Sequence, residues 1–262
     1  MAPTSEAYAK KEARGAMPWN KLAPMDQRRV RYVVSNASVF RRLPTRVERC
    51  DPEVFSFLVR RPEVVTGIWN LMGVSDLSLE RKSDGVLRAE DHHGGSGNLE
   101  VLYSDHDADA RGVTVAAIDG LYHQKPMPRP INAKCVLLLR SGSTVESNGQ
   151  TYVTARVDAF VKFERVAADL VARGLQPILV QTADHNFVET MKFVSTFSRT
   201  AETNPHGMRR LADKLVDIDE PARREMIDLC AAASRRAESL TAARVAEQNR
   251  LAQMRVDNAS VK

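Results

Sequence analysis

Cysteine is scarce: Cys50, Cys135 and Cys230 are the only three in 262 residues, and no two of them form a CxxC pair. An odd, irregular set closes no disulfide framework within one chain and does not suit structural zinc, so the fold has to be built by apolar burial. Long hydrophobic runs are missing as well. The longest, such as Cys135 to Leu139, fall far short of the roughly 18 to 20 residues of a membrane-crossing helix. The leading MAPTSEAYAKKEARGAM is polar and holds no stretch of signal-peptide length. As written, the chain is expected to be soluble and cytoplasmic, and exported or periplasmic only if it naturally begins further upstream. Catalytic loop motifs are also lacking: no GxSxG, P-loop or GxGxxG stands between a strand and a helix. Gly94-Gly95-Ser96-Gly97 lacks the lysine and following helix that cradle phosphate. Hydrolase and nucleotide-enzyme readings lose their usual support.

Apolar material, by contrast, is ample. It makes up 43% of a 29.1 kDa chain, enough for one large domain or an ordinary one with appendages. Disorder and a pure coiled coil are both excluded. The net charge of +5 is unevenly spread. Residues 1–49 hold eleven Lys/Arg against four acids, a surplus of seven that leaves the rest of the chain near −2. A basic leading segment of this kind reads either as a solubilising, partly mobile arm or as a surface for anionic lipid headgroups or nucleic acid. No aromatic-rich RNA motif accompanies it, so no specific nucleic-acid partner is expected.

The hydrophobic pattern divides the chain into a basic lead-in (1–42), a central domain (43–204) and a helical tail (205–262). Within 18–40 the spacing predicts one short helix entered at Pro24-Met25-Asp26, with Val30, Val33 and Val34 inward. Leu43 to Cys50 alternates as a strand does. Asp51-Pro52 then supplies an N-cap with proline at the first helical position, and Val54, Phe55, Leu58 and Val59 form the buried side of that helix. A second short helix runs from Pro62 through Trp69 and stops at Gly73. After Gly73 the period becomes two, predicting strands around Leu77–Leu79, 86–90, 99–103, 113–122, 133–140 and 151–163, joined by short polar connections that include Gly94 to Gly97. That makes seven strands, sequentially antiparallel. In the last, Val153, Ala155, Val157, Ala159, Val161 and Phe163 share one face. Residues 165–203 read as helix interrupted at Gly174 and Pro177, with Val180, Ala183, Phe187, Met191 and Val194 as a stripe facing the sheet. From Pro221 to Met254 an Ala/Arg/Glu-rich helix carries only a thin stripe, which predicts a peripheral or partner-contacting element, with self-association through 221–254 as one use.

This order of strand, two short helices, six antiparallel strands and a long helix resembles the START and polyketide-cyclase-like (SRPBCC) superfamily over residues 43–204. The resemblance implies an α+β helix-grip fold: a curved seven-stranded antiparallel sheet wrapped around a long C-terminal helix, here with extra N- and C-terminal helices. In that order Cys50 and Cys135 do not lie on neighbouring strands, which argues against a disulfide between them. Two segments, CDPEVFSFLVRRPEVVTGIWNLMGVS (50–75) and QTADHNFVETMKFVSTFSRTAETNP (181–205), also resemble a family of uncharacterised bacterial proteins whose members often look exported. The fold implies a cavity between sheet and helix that shelters a hydrophobic small molecule such as a lipid, sterol, quinone or polyketide. Its expected lining is Val153, Val157, Val161, Val180, Ala183, Phe187 and Met191, with Trp69 and Tyr103. No cofactor or metal is expected.

Polar candidates are few. Asp184-His185-Asn186 with Glu189 is the densest cluster on the otherwise apolar helix, and His185 and Glu189 share a face at a spacing of four. The cluster reads either as the catalytic end of the cavity, in a cyclase- or hydrolase-like enzyme, or as surface hydrogen bonding. It lacks the second histidine of HExxH. His92-His93 reads as a solvated hairpin, because adjacent residues at a strand end point to opposite faces. Arg156 and Asp158 share the face opposite the apolar positions, and either orient a ligand headgroup or pair at the surface.

Overall fold

In the computed structural model, residues 2–82, 85–123, 130–147, 149–164 and 176–259 are described. The sheet is open and wholly antiparallel. Its strands are β1 (Val39–Arg42), β2 (Arg46–Arg49), β3 (Ser78–Arg81), β4 (Leu87–Glu90), β5 (Gly95–His106), β6 (Gly112–Tyr122), β7 (Ile131–Val145) and β8 (Thr151–Glu164). The spatial order is β1-β8-β7-β6-β5-β4-β3, with β2 also pairing β8. The first strand closes on the last, which is the helix-grip order. The one strand expected between Leu43 and Cys50 is instead two short ones, beginning earlier at Val39. Pro44 separates them because it has no N–H to give the ladder. The neighbouring Leu43 still donates its N–H to Val157 O at 2.9 Å.

Helices α3 (Pro52–Arg60) and α4 (Pro62–Leu71) start at the expected prolines, and Gly73, at φ +66°, follows α4 where a left-handed residue is needed. Asp51 caps α3, its Oδ1 accepting from Glu53 N at 2.9 Å and Val54 N at 3.2 Å. The long α5 (Gln176–Thr203) carries Pro177 in its first turn, where no intrahelical N–H is lost. The helical piece expected at 165–175 lies outside the described residues. Two further helices follow, α6 (Pro205–Lys214) and α7 (Glu220–Ala259).

Cross-strand partners share a face, so the register assigns each side of the sheet. The inner face carries α3, α4, α5, α6 and the first half of α7. One large cluster joins Phe55 and Phe57 of α3, Met191, Val194 and Phe197 of α5, Met208 of α6, and Ala222, Met226 and Cys230 of α7 to Val153 and Ala155 of β8. The expectation of a peripheral tail therefore fails for the first half of α7. Its buried residues are mostly Ala and Cys, and a narrow stripe of small side chains lets a helix pack closely instead of marking it as exposed. Only further along do Leu240 and Val245 stand out in solvent. Asp51 binds this side together: Ser198 Oγ of α5 accepts from its N–H at 2.8 Å, and Arg236 of α7 donates to both carboxylate oxygens at 2.9 and 3.0 Å.

The outer face corrects the reading of the leading segment as a partly mobile arm. Residues 7–35 form α1 (Ala7–Gly15), one 3-10 turn and α2 (Pro24–Ser35), and these cover the sheet. Ala9, Ala13, Met17, Leu22, Val30, Val33 and Val34 pack on Phe40, Val115, Val136, Leu138 and Phe160. Beneath α1 lies a charged cluster. Asp158, fully buried, accepts from Arg42 Nε at 2.6 Å and from Arg140 Nη2 at 2.7 Å. Arg42, 1% exposed, also donates to Glu12 Oε2 at 2.7 Å and to Ala9 O at 3.2 Å. Glu12 Oε1 in turn accepts from Arg140 and Arg156, both at 3.0 Å. Arg156 and Asp158 are thus not a pair: Asp158 is buried and taken by Arg42 and Arg140, and half-buried Arg156 is taken by Glu12 of α1. Burial works against the Glu12 carboxylate, yet the hydrogen bonds of Arg42 and Arg140 and the charge of Arg156 hold its pKa below the ordinary carboxylate value. Its pairing therefore supports the fold above that ordinary value and is lost as pH falls through the depressed one.

Removing Asp158 leaves two guanidinium groups without their buried counter-charge. Asp158→Ala is expected to destabilise by about 3 to 5 kcal/mol in urea unfolding, with the double replacement Arg42→Met, Asp158→Leu recovering part of the loss. A loss under about 1 kcal/mol for the single variant contradicts this reading.

Candidate functional site

Alternate residues of the central strands meet opposite fates. On the outer face Val115, Val136, Leu138 and Phe160 are completely buried. On the inner face of the same strands Leu99, Val101, Ile118, Cys135, Leu137, Val157 and Val161 remain half-buried. Their register is continuous: Leu87 pairs Leu99, Leu99 pairs Ile118, Ile118 pairs Cys135, Cys135 pairs Val161, and Val161 pairs Val39. The inner face is therefore filled at the end where α3, α5 and α7 meet, while an apolar trough runs across the rest among the described residues.

One stretch of this trough is a groove of about 390 Å³. Its floor is the next cross-strand row, Ala89, Gly97, Gly120 and Ala133, which ends on Phe163. Small side chains lower the floor, and Ile118, Tyr122, Ile131, Phe163 and Leu179 rise around it. The two glycines differ in cause. A Cβ on Gly97 would meet Asp119 O at 2.5 Å, so close strand approach requires glycine there. At Gly120 a Cβ would meet only Ala133 O at 3.8 Å and Ser96 O at 3.9 Å, ordinary contacts, so no close approach demands glycine there. Val180 of α5 packs against the Val39 and Phe163 cluster, as do Ile131, Ala133 and Val161. Polar groups stand only at the rim, where Asp91 is occupied in its own turn by the N–H groups of His93 and Gly95 at 2.8 and 2.7 Å.

The expected lining residues separate accordingly. Val157 and Val161 face the trough, Val180 borders it, and Ala183 is half-buried one turn along α5. Val153 and Met191 are in the packed cluster, and Phe187 and Trp69 lie against it, Trp69 edge-on to Phe193 at 5.5 Å between ring centroids. Tyr103 is on the other face. A register shift between Val101 and Tyr103 inserts Leu102, and one extra residue reverses the side to which the rest of the strand points, so Tyr103 packs with the outer cluster. The groove residues missed from sequence, Gly97 and Gly120 above all, were hidden by the same feature that makes the groove. Gly95 to Gly97 read as a turn, whereas β5 already begins at Gly95 and the turn precedes it. A glycine inside an alternating strand was the available signal.

The polar candidates do not reach this space. His185 and Glu189 are exposed, and Glu189 accepts from Lys192 Nζ at 2.8 Å, the bond that holds its pKa below the usual carboxylate range. Asp184 is taken by Arg41 of β1, whose guanidinium binds both carboxylate oxygens. That pair fastens α5 to the edge of the sheet. Cys135 faces the trough, but burial pushes its thiol up to about 12, so it is no nucleophile near neutral pH. All three cysteines are free. His93 lies 3.4 Å from Asp76 in an exposed loop, and no group of three potential metal ligands occurs among the described residues. No described helix is long and apolar enough to cross a membrane. No protein-family model matches the chain, and no curated protein matches it either.

The chemistry of the groove is therefore that of apolar burial, and the α5 surface cluster is separate from it. His185→Ala with Glu189→Gln is expected to leave stability within about 0.5 kcal/mol in thermal melts and to leave the uptake of an apolar fluorophore unchanged. A clear loss of uptake would return the pair to the site.

Proposed function

We propose that the protein binds a hydrophobic small molecule, as a carrier or sensor, in the trough between the inner face of the sheet and α5. The observation that carries this reading is the contrast across the sheet: Val115, Val136, Leu138 and Phe160 of the outer face are sealed, whereas Leu99, Ile118, Leu137, Val157 and Val161 of the inner face, equally apolar, are half-buried. Apolar surface left open in mid-sheet is unfavourable unless something else covers it. The resemblance of the chain to START-like proteins supports the same reading, as does a groove of about 390 Å³, within the usual span of small-molecule sites. A ligand burying roughly 300 Å² of apolar surface gains about 7 kcal/mol before ordering costs, so micromolar affinity requires no ionic contact.

Selection follows from shape. The small-residue floor suits a flat or chain-like apolar body, and the rim, with Glu90, Asp91 and Ser96, suits a neutral polar end more than an anionic one. Ala133→Phe places a ring on the floor while leaving the outer face untouched. It is expected to weaken binding of an environment-sensitive apolar fluorophore at least tenfold, with the melting temperature within a few degrees of the parent. Undiminished binding by a folded Ala133→Phe protein removes the groove as the site.

A further inference from the structure

The eleven cations of residues 1–49 divide into two sets. Five are held inside the fold: Arg29 by Glu100 and Asp119, Arg41 by Asp184, Arg42 by Asp158 and Glu12, Arg46 by Glu48, and Arg49 by Glu202. The other six, Lys10, Lys11, Arg14, Lys21, Arg28 and Arg31, make no ion pair among the described residues. They are not scattered. Lys11 and Arg14 lie on the side of α1 turned away from buried Ala9 and Ala13, with Lys10 half-buried on the flank, and Arg28 and Arg31 are exposed on α2 away from Val30, Val33 and Val34.

Contacts join the two helices into one surface. Arg14 Nη2 donates to Ser35 Oγ at 3.4 Å and Lys10 Nζ to Ala37 O at 3.4 Å. Trp19 Nε1 donates to Arg14 O at 3.2 Å, and Arg31 lies 4.8 Å above the Trp19 ring. Crowding of like charge is already felt within it: burial and the charge of Arg14 both lower the pKa of Lys10. Among these cations stand two large exposed side chains, Met25 at 69% and Tyr8 at 62%.

We propose that this α1–α2 surface docks on an anionic lipid bilayer. Unneutralised cations on a broad helical face complement a negatively charged headgroup layer, and Met25 and Tyr8 suit the boundary just beneath it. Nucleic acid offers the charge but no apolar layer for those two side chains. The docking surface lies on the opposite side of the sheet from the trough, so a docked protein holds its apolar trough toward the aqueous side. Docking and ligand binding are thus independent properties.

The test is co-sedimentation of the full chain with equimolar phosphatidylglycerol–phosphatidylcholine vesicles and with phosphatidylcholine vesicles. Binding is expected to the former alone and to be abolished by about 0.5 M salt. Each cation near the surface strengthens such binding about fivefold, so Lys11→Gln, Lys21→Gln, Arg28→Gln together weaken it about a hundredfold. Arg209→Gln, Arg210→Gln, Lys214→Gln, the same loss of charge on exposed residues of α6, is expected to change it less than twofold. Absence of wild-type binding to anionic vesicles overturns the proposal, whether or not duplex DNA is bound. So does an equal loss in the two triple variants when both melt like the parent.

Discussion

A carboxylate sealed from water must be matched by charge at close range, and Asp158 imposes that requirement on four parts of the chain at once. Arg42 comes from β1, Arg140 from β7, and both are shared with Glu12 of α1. A partly satisfied buried cluster is worse than an apolar core, and departure of α1 takes Glu12 from Arg42, Arg140 and Arg156 and Ala9 O from Arg42. The edge strand, the last two strands and the first helix therefore behave as one unit. The outer face of the sheet is closed as a consequence.

With that face closed, the inner face is where empty space collects. Asp51 plays the corresponding part there, capping α3 while receiving Arg236 of α7 and bonding Ser198 of α5. It gathers three helices over one end of the sheet. The Arg41 and Asp184 pair then fixes α5 along the β1 edge, and the centre and far end of the inner face are left with half-buried apolar side chains. The trough is a product of where the helices are pinned, and the small row Ala89, Gly97, Gly120 and Ala133 deepens it.

Local chemistry was legible in the sequence wherever it was self-contained. Asp51-Pro52, Pro62 and Gly73 placed α3 and α4, and the odd-position pattern from Val153 to Phe163 placed β8 and its inner face. What escaped depended on partners far away in the chain. The Asp158 and Arg42 pair spans 116 positions, and neither residue reads as buried in isolation. Helix α1 hides its inward side in Ala9 and Ala13 among lysines, too small a stripe to register as amphipathic. A bulge at Leu102 reversed Tyr103, an offset that alternation alone cannot reveal. The candidate site was legible only in part for the same reason: Val157 and Val161 face the trough and Val180 packs at its Val39 and Phe163 edge, but the groove's small floor, Gly97 and Gly120 above all, has no side chain to notice.

The measurement that bears most directly on the account is native mass spectrometry of the full chain purified from cells without detergent, followed by solvent extraction of the same sample. A bound apolar compound is expected, released into the organic phase and rebinding the stripped protein in simple stoichiometry. Repeated preparations that carry no such compound, and a stripped protein that takes up none from a mixed lipid and quinone extract, would contradict it.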